Sequence, residues 1–332
     1  MNCIRAELSK LISQSITKIV ATAVLLIGTL LCIVVWYLYK PLSPEIIQVQ
    51  EQAYQSALDD WEKNGQAIIQ NCQEEMAAQQ SIDPSYQQDC TNEALAPKPI
   101  DFGLYVLSLE DAWLSILVLV PKIISMIGII WVGVAVGSEF RSGSIITWLY
   151  FEPRREVVFW SKLIASAIAA IAITILFEVV LLVGISIVSV IDNADMTLSG
   201  NYILNTAIPI MLFTIIVAIG TMCAASAFTM LTQRASFTIA LSMGYVLIVD
   251  TLIGQLLPIT GRFSIGNSID AFALGHSTFT STKCTVTFTG EVTCIPILNK
   301  LSRVDGFVEL LIIFLVVTGI GWWRFQRTDI AN

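Results

Sequence analysis

Seven charged side chains, Glu139, Arg141, Glu152, Arg154, Arg155, Glu156 and Lys162, crowd into the segment from Val136 to Lys162, between two long apolar runs. Charges that dense cannot sit in hydrocarbon, so the segment belongs in water or in a protein contact. Its middle, Ser144 to Phe151, is apolar and of helix length, with Ile145, Trp148 and Leu149 at i, i+3, i+4 spacing. Pro153 ends any helix there. The chemistry this predicts is that of a contact: a short amphipathic helix at a membrane surface, flanked by Arg and Glu, pressing against another protein. Catalytic motifs are missing. The chain has no Gly-x-x-x-x-Gly-Lys-Ser/Thr loop to cradle phosphates, no HExxH, no GxSxG and no Cys/His set of zinc-ligand spacing. Its single histidine, His276, lies in a Ser/Thr-rich stretch and reads as a surface residue. No catalytic residue and no metal site is predicted.

The elements that position this segment are membrane spans. The hydrophobic fraction is 55% over 332 residues and only 13% of residues are charged, roughly half the share in an ordinary soluble domain. The predicted class is an all-α polytopic membrane protein with six transmembrane helices. These run over 18–39, 113–136, 162–191, 202–231, 236–257 and 306–323. The net charge of −8 divides unevenly along the chain. Segments placed inside carry ten basic residues against five acids, whereas Lys40 to Asp111 carries thirteen acids and three lysines. The positive-inside rule therefore puts both termini in the cytoplasm. Nothing in the charge pattern suggests nucleic-acid binding.

Between the spans, residues 1–17 place Ile4, Leu8, Leu11 and Ile12 on one face, which reads either as an interfacial helix or as the n-region of an uncleaved anchor. Residues 40–112 form an external insert. Ile47, Tyr54, Leu58, Trp61 and Ile68 fall at helical spacing there, predicting a long helix that returns after Gly65 as a clipped hairpin. An external loop (192–201) and an inner turn (232–235) are short. Residues 258–305 are external, with re-entrant or short helices followed by a small β-hairpin around Gly290, and 324–332 form a cytoplasmic tail. Four cysteines, Cys72, Cys90, Cys284 and Cys294, fall in the external segments and permit three pairings. The favoured pairs, Cys72–Cys90 and Cys284–Cys294, each close a short local loop.

Lys122, Glu178 and Asp250 are ionisable residues set well inside predicted spans. Lys122 and Glu178 sit about ten residues below the outer ends of consecutive spans, roughly 15 Å deep at the helical rise, which predicts a buried ion pair. Asp250, near the outer third of its span, is placed either as the cap of a short external helix or facing a translocation path.

The run Gly137-Ser138-Glu139-Phe140-Arg141-Ser142-Gly143, followed by Pro153-x-Arg155 and Lys162, resembles the first cytoplasmic loop of type-2 ATP-binding-cassette (ABC) permeases. Ser144 stands where Thr is usual. The resemblance implies that the 137–161 segment is a coupling loop. Glu139, Arg141, Glu152, Arg154 and Arg155 would hold a separate ATPase subunit, Ile145, Trp148 and Leu149 would form the apolar wedge, and Phe140, Gly143 and Pro153 would shape it. It further implies an N-terminal helix that touches the ATPase, and two permease copies (homodimer or heterodimer) in a plasma membrane, here a bacterial one. ATP and Mg would sit on the partner, with no cofactor bound by this chain, and export is the implied direction. The large external insert departs from the minimal family pattern and leaves the substrate open. Two other classes compete: a membrane receptor or assembly protein whose acidic ectodomain binds a partner, and an ion-driven secondary transporter. No inverted repeat supports the latter.

Overall fold

The computed structural model describes residues 2–39, 44–82, 89–104, 109–191, 200–246, 248, 250, 262, 264–286 and 292–327. Five of its helices are long and apolar enough to cross a membrane: Ser15–Tyr37, Trp113–Ser142, Arg155–Val188, Ile203–Thr232 and Arg303–Arg327. The protein is therefore a multi-pass membrane protein. Leu26, Leu30, Ile33, Val183, Ile187, Ile312 and Leu315 on these helices are exposed, as a lipid-facing surface requires. The predicted span over 236–257 is described only in its first half, as a helix over Ala235–Tyr245. Its remainder largely falls outside the described residues.

The chain divides into two compact units, Met1–Val34 with Leu109–Asn332, and Val35–Ser108. In the larger unit, α1 (Asn2–Ser13) leads into α2 (Ser15–Tyr39). The long helices α5 (Leu109–Ser142) and α7 (Arg155–Ile191) flank the short α6 (Ser144–Phe151). A single turn, α8 (Gly200–Tyr202), and a π-helical stretch, Ile203–Ala207, introduce α9 (Ile208–Thr232). Then come α10 (Ala235–Tyr245), α11 (Ile265–Leu274) and the terminal α12 (Arg303–Arg327). The hub is α9, packed against α5, α7 and α12. Its Ala225 and Ala227 are buried, in keeping with the small-residue contact face that favours close helix packing.

At about 1.5 Å per residue, α5 and α7 are over 50 Å long, well beyond a ~30 Å hydrocarbon core. The 137–161 segment is consequently less of a loop than expected. Residues 137–142 continue α5, and 155–161 already belong to α7. Hydropathy marks where a helix leaves lipid, whereas its backbone hydrogen bonds carry it further. Only Gly143 and 152–154 break the run. Gly143 has φ 70°, the left-handed conformation that favours glycine, and it turns α5 into α6.

One end of the bundle, here the loop end, gathers α1, α6, the α9–α10 turn and the last turn of α12. At the opposite end, β1 (His276–Val286) and β2 (Val292–Ser302) form an antiparallel hairpin with eleven residues per strand. It is far longer than the small hairpin expected, and Cys284 pairs in register with Cys294 near its turn rather than at its base. The side chains of that pair lie outside the described residues. Beside the hairpin, α11 buries Ile269 and Phe272 against Val217 of α9, with Phe213 and Leu310 alongside.

In the smaller unit, α3 runs unbroken from Pro44 to Ile82, through Gly65, so the predicted helical return there is not found. A single glycine costs a helix only about 1 kcal/mol, too little to turn it. The chain instead comes back through the short α4 (Asn92–Leu95) and a 3-10 turn (Pro99–Phe102). Cys72 and Cys90 form a disulfide. Further along, Trp61 Nε1 donates to Asn92 Oδ1 at 3.2 Å, and the rings of Tyr54 and Phe102 lie 5.6 Å apart.

Where α2 meets α7, Gly184 has no room for a side chain: a Cβ there would run into Cys32 Sγ. Gly184→Ala is therefore expected to destabilise the chain by about 1–3 kcal/mol through overpacking. Adding Cys32→Ala should recover part of that loss. Thermal unfolding of the two variants in detergent checks the pair.

Candidate functional site

The residues of the 137–162 segment lie at the loop end, and four charges organise them. Lys162, on the first turns of α7, is only 2% exposed. Its Nζ lies 2.9 Å and 3.1 Å from the two carboxylate oxygens of Glu7 on α1, and it also bonds Glu139 Oε2 at the end of α5. Lys10, half-exposed, reaches Glu139 Oε1 at 3.1 Å and Ser144 Oγ at 3.4 Å. Two acids and two bases thus balance, and every partner sits on a different element or at a helix end. Burial pushes the Glu7 carboxyl up, Lys162 beside it pulls it back down, and the Glu139 charge raises it again. The net direction is up: burial is the larger effect, and the Lys162 ammonium offsets only part of it.

This overturns the expectation that Glu139 meets an external partner. It is 4% exposed and spent internally. Arg155 is likewise internal: its Nη1 donates to the carbonyls of Phe325 at 3.3 Å and Gln326 at 3.1 Å, capping the last turn of α12. A cation suits that helix end, where unpaired carbonyls gather. Gln326 Nε2 returns a bond to Glu156 Oε1 at 3.0 Å, and the rings of Phe159 and Phe325 pack beneath at 6.0 Å.

On α6 the covered and open faces also differ from expectation. Ile145 is 1% exposed, Trp148 and Leu149 are half-buried, and the open apolar positions are Ile146, Tyr150 and Phe151 at 49%, 85% and 77%, with Thr147 also exposed. Both faces are apolar, so the spacing located the helix but not its outward side. Arg141, Pro153 and Arg154 are exposed, Glu152 is half-buried at the C-cap of α6, and Phe140 is half-buried beside Ile145. The site therefore consists of a small outward patch, Ile146, Tyr150, Phe151, Arg141 and Arg154, carried on a base of buried ion pairs.

The ionisable residues within the spans regroup as well. Lys122 does not pair with Glu178; its Nζ lies 2.6 Å from Asp270 Oδ2 on α11. Glu178 is 6% exposed, and its Oε1 has no partner among the described residues. Asp250 accepts from Ser264 Oγ at 2.9 Å and from the Gly266 N–H at 3.1 Å, at the N-terminus of α11. That is the capping arrangement, in which a carboxylate satisfies open N–H groups and favours the helix dipole. Close by, Ser268 Oγ donates to Glu309 Oε2 at 2.6 Å. Glu7, Lys10 and Asp270 were not singled out from sequence. Glu7 and Lys10 sit one turn apart on α1, a spacing that signals a shared face but no partner. Asp270 hides in an interrupted apolar stretch.

Among the described residues no group of three or more His, Cys, Asp or Glu could hold a metal ion. Comparison with known proteins found no matching family model, no matching curated protein and no matching solved structure.

Two outcomes follow from these pairings. Lys162→Met leaves two buried carboxylates facing each other and is expected to cost about 3–5 kcal/mol. Neutralising all three residues (Glu7→Gln, Glu139→Gln, Lys162→Met) should regain part of it in the same thermal assay. At the other end, Lys122→Asp with Asp270→Lys should restore the folded yield lost by either single change, whereas Lys122→Glu with Glu178→Lys should not.

Proposed function

We propose that this chain is the membrane-spanning permease subunit of an ABC transporter of the type-2 kind, an exporter driven by a separate ATPase subunit. The observation that carries the reading is the mounting of α6. Its outward patch is apolar with an arginine at each end, and its inner side is tied to α1, α5 and α7 through Glu7, Lys10, Glu139, Ser144 and Lys162. Through Arg155, the start of α7 is tied to the end of α12 as well. A force applied to α6 therefore reaches three of the long helices without passing through a flexible linker. Such a mount is what an external motor needs, because coupling between distant sites requires a rigid element whose position both can bias.

In this reading the loop end faces the cytoplasm, residues 236–257 complete a sixth span, and two copies of a permease, identical or related, assemble with two ATPases in a bacterial plasma membrane. ATP and Mg are held by the ATPase, and this chain does no chemistry on them. Ile146, Tyr150 and Phe151 enter a groove of the partner, and Arg141 and Arg154 pair with acidic residues at its rim. Glu139, Ile145 and Arg155 act behind them as struts. The acidic unit 35–108 faces outward, and it keeps a second reading alive: a receptor whose ectodomain binds a partner without any ATPase.

The test is co-purification from native membranes in mild detergent. A Walker-motif ATPase should accompany the wild-type chain, and Arg141→Glu with Arg154→Glu should lower its recovery at least about tenfold, a loss of ~1.4 kcal/mol or more. Monodispersity of the variant by size exclusion serves as the folding control. If no ATPase accompanies the wild type, the permease reading falls and the receptor reading takes its place.

A further inference from the structure

A cavity of about 810 Å³ opens at the loop end, between the α5–α6 corner, the α9–α10 turn and the last turns of α12. Its walls are of two kinds. Phe228 and Phe237, stacked with ring centroids 6.2 Å apart, form an apolar wall with Ile146. Arg234 and Arg324 line it as well, with Thr232 beside them, and no acidic residue is among the described residues that line it. The cavity lies where spans end. Trp322 and Trp323, both exposed, form an aromatic belt beside Arg324, and Arg327 stacks over the Trp323 ring at 4.7 Å. Trp and Arg in that order mark the level of the lipid headgroups.

A water-filled cavity would leave the Phe-lined wall wetted, and an apolar ligand would strip water from the exposed Arg234. An amphiphile with a negative head suits both walls. Its phosphate can take the arginines, which present forked donors matched to phosphate oxygens, while its chain lies along Phe228 and Phe237. The volume falls within the ordinary range for a bound ligand, about 300–1,000 Å³. Basic pockets between transmembrane helices at the membrane surface are a known form of site for acidic headgroups.

We infer that this cavity is a binding site for one anionic phospholipid of the surrounding membrane, its headgroup held by Arg234 and Arg324 and its acyl chain by Phe228, Phe237 and Ile146. The inference needs the membrane but not the ATPase, so it stands or falls separately from the permease reading. Its consequence is local to α6. Ile146 belongs both to the cavity wall and to the outward patch, so an occupied cavity supports that helix from behind.

Native mass spectrometry of the delipidated full-length chain tests it, with phosphatidylglycerol and phosphatidylcholine of identical acyl chains titrated in turn and inorganic phosphate as a competitor. One phosphatidylglycerol should bind at least about tenfold more tightly than phosphatidylcholine. Arg234→Gln with Arg324→Gln should reduce that preference to threefold or less, Arg234→Lys should keep most of it, and Arg154→Gln, outside the cavity, should leave it unchanged. Both cavity arginines are exposed, and monodispersity by size exclusion serves as the folding control for each variant. Equal binding of the two lipids, or a preference indifferent to the double change, overturns the inference. Displacement by millimolar phosphate alone also overturns it, in favour of a simple anion site.

Discussion

The structure depends on one ammonium group. Lys162 sits almost without exposure between the carboxylates of Glu7 and Glu139, and these three residues come from α7, α1 and α5. A charge in that position costs several kcal/mol to desolvate, and only near-contact partners of opposite sign offset it. The constraint is therefore geometric. The amphipathic α1 must lie against the base of α7, and α5 must continue far enough beyond its apolar stretch to deliver Glu139. Lys10 extends the same network to Glu139 and Ser144 and fixes the first turn of α6.

From that base the rest of the loop end follows. With the first turn of α6 held and Gly143 turned into the left-handed region, Ile145 goes inward and Ile146, Tyr150 and Phe151 go outward. Arg155 then closes the assembly on the other side by capping α12. The charges that make the segment look like a docking surface divide into two populations. Glu139, Arg155 and Lys162 stabilise the protein's own architecture, while Arg141 and Arg154 are exposed.

The opposite end is built on a similar economy of polar groups. Asp250 and Ser264 satisfy the N-terminus of α11, Asp270 takes Lys122, and Ser268 takes Glu309. Short helices with polar ends are tolerated within hydrocarbon only when protein covers them. The packing of Phe272 between Phe213 and Phe307 supplies that cover. Glu178 is left outside this scheme, a buried carboxyl with one oxygen unpartnered among the described residues.

Much of this was legible in the chain itself, because hydropathy and periodicity are local properties. The long apolar helices, the amphipathic α1, the short α6 ended by Glu152 and Pro153, and the Cys72–Cys90 closure over 18 residues all follow from neighbours along the sequence. The tertiary structure alone decided which charge meets which. Lys162 finds Glu7 across 155 residues, and Lys122 finds Asp270 rather than the Glu178 that shares its expected depth. Depth along a span fixes one coordinate of a side chain; its azimuth around the helix and the packing of the neighbouring helices set the other two. The same holds for α6, where two apolar faces compete for the interior and only the packing behind the helix covers Ile145 rather than Ile146.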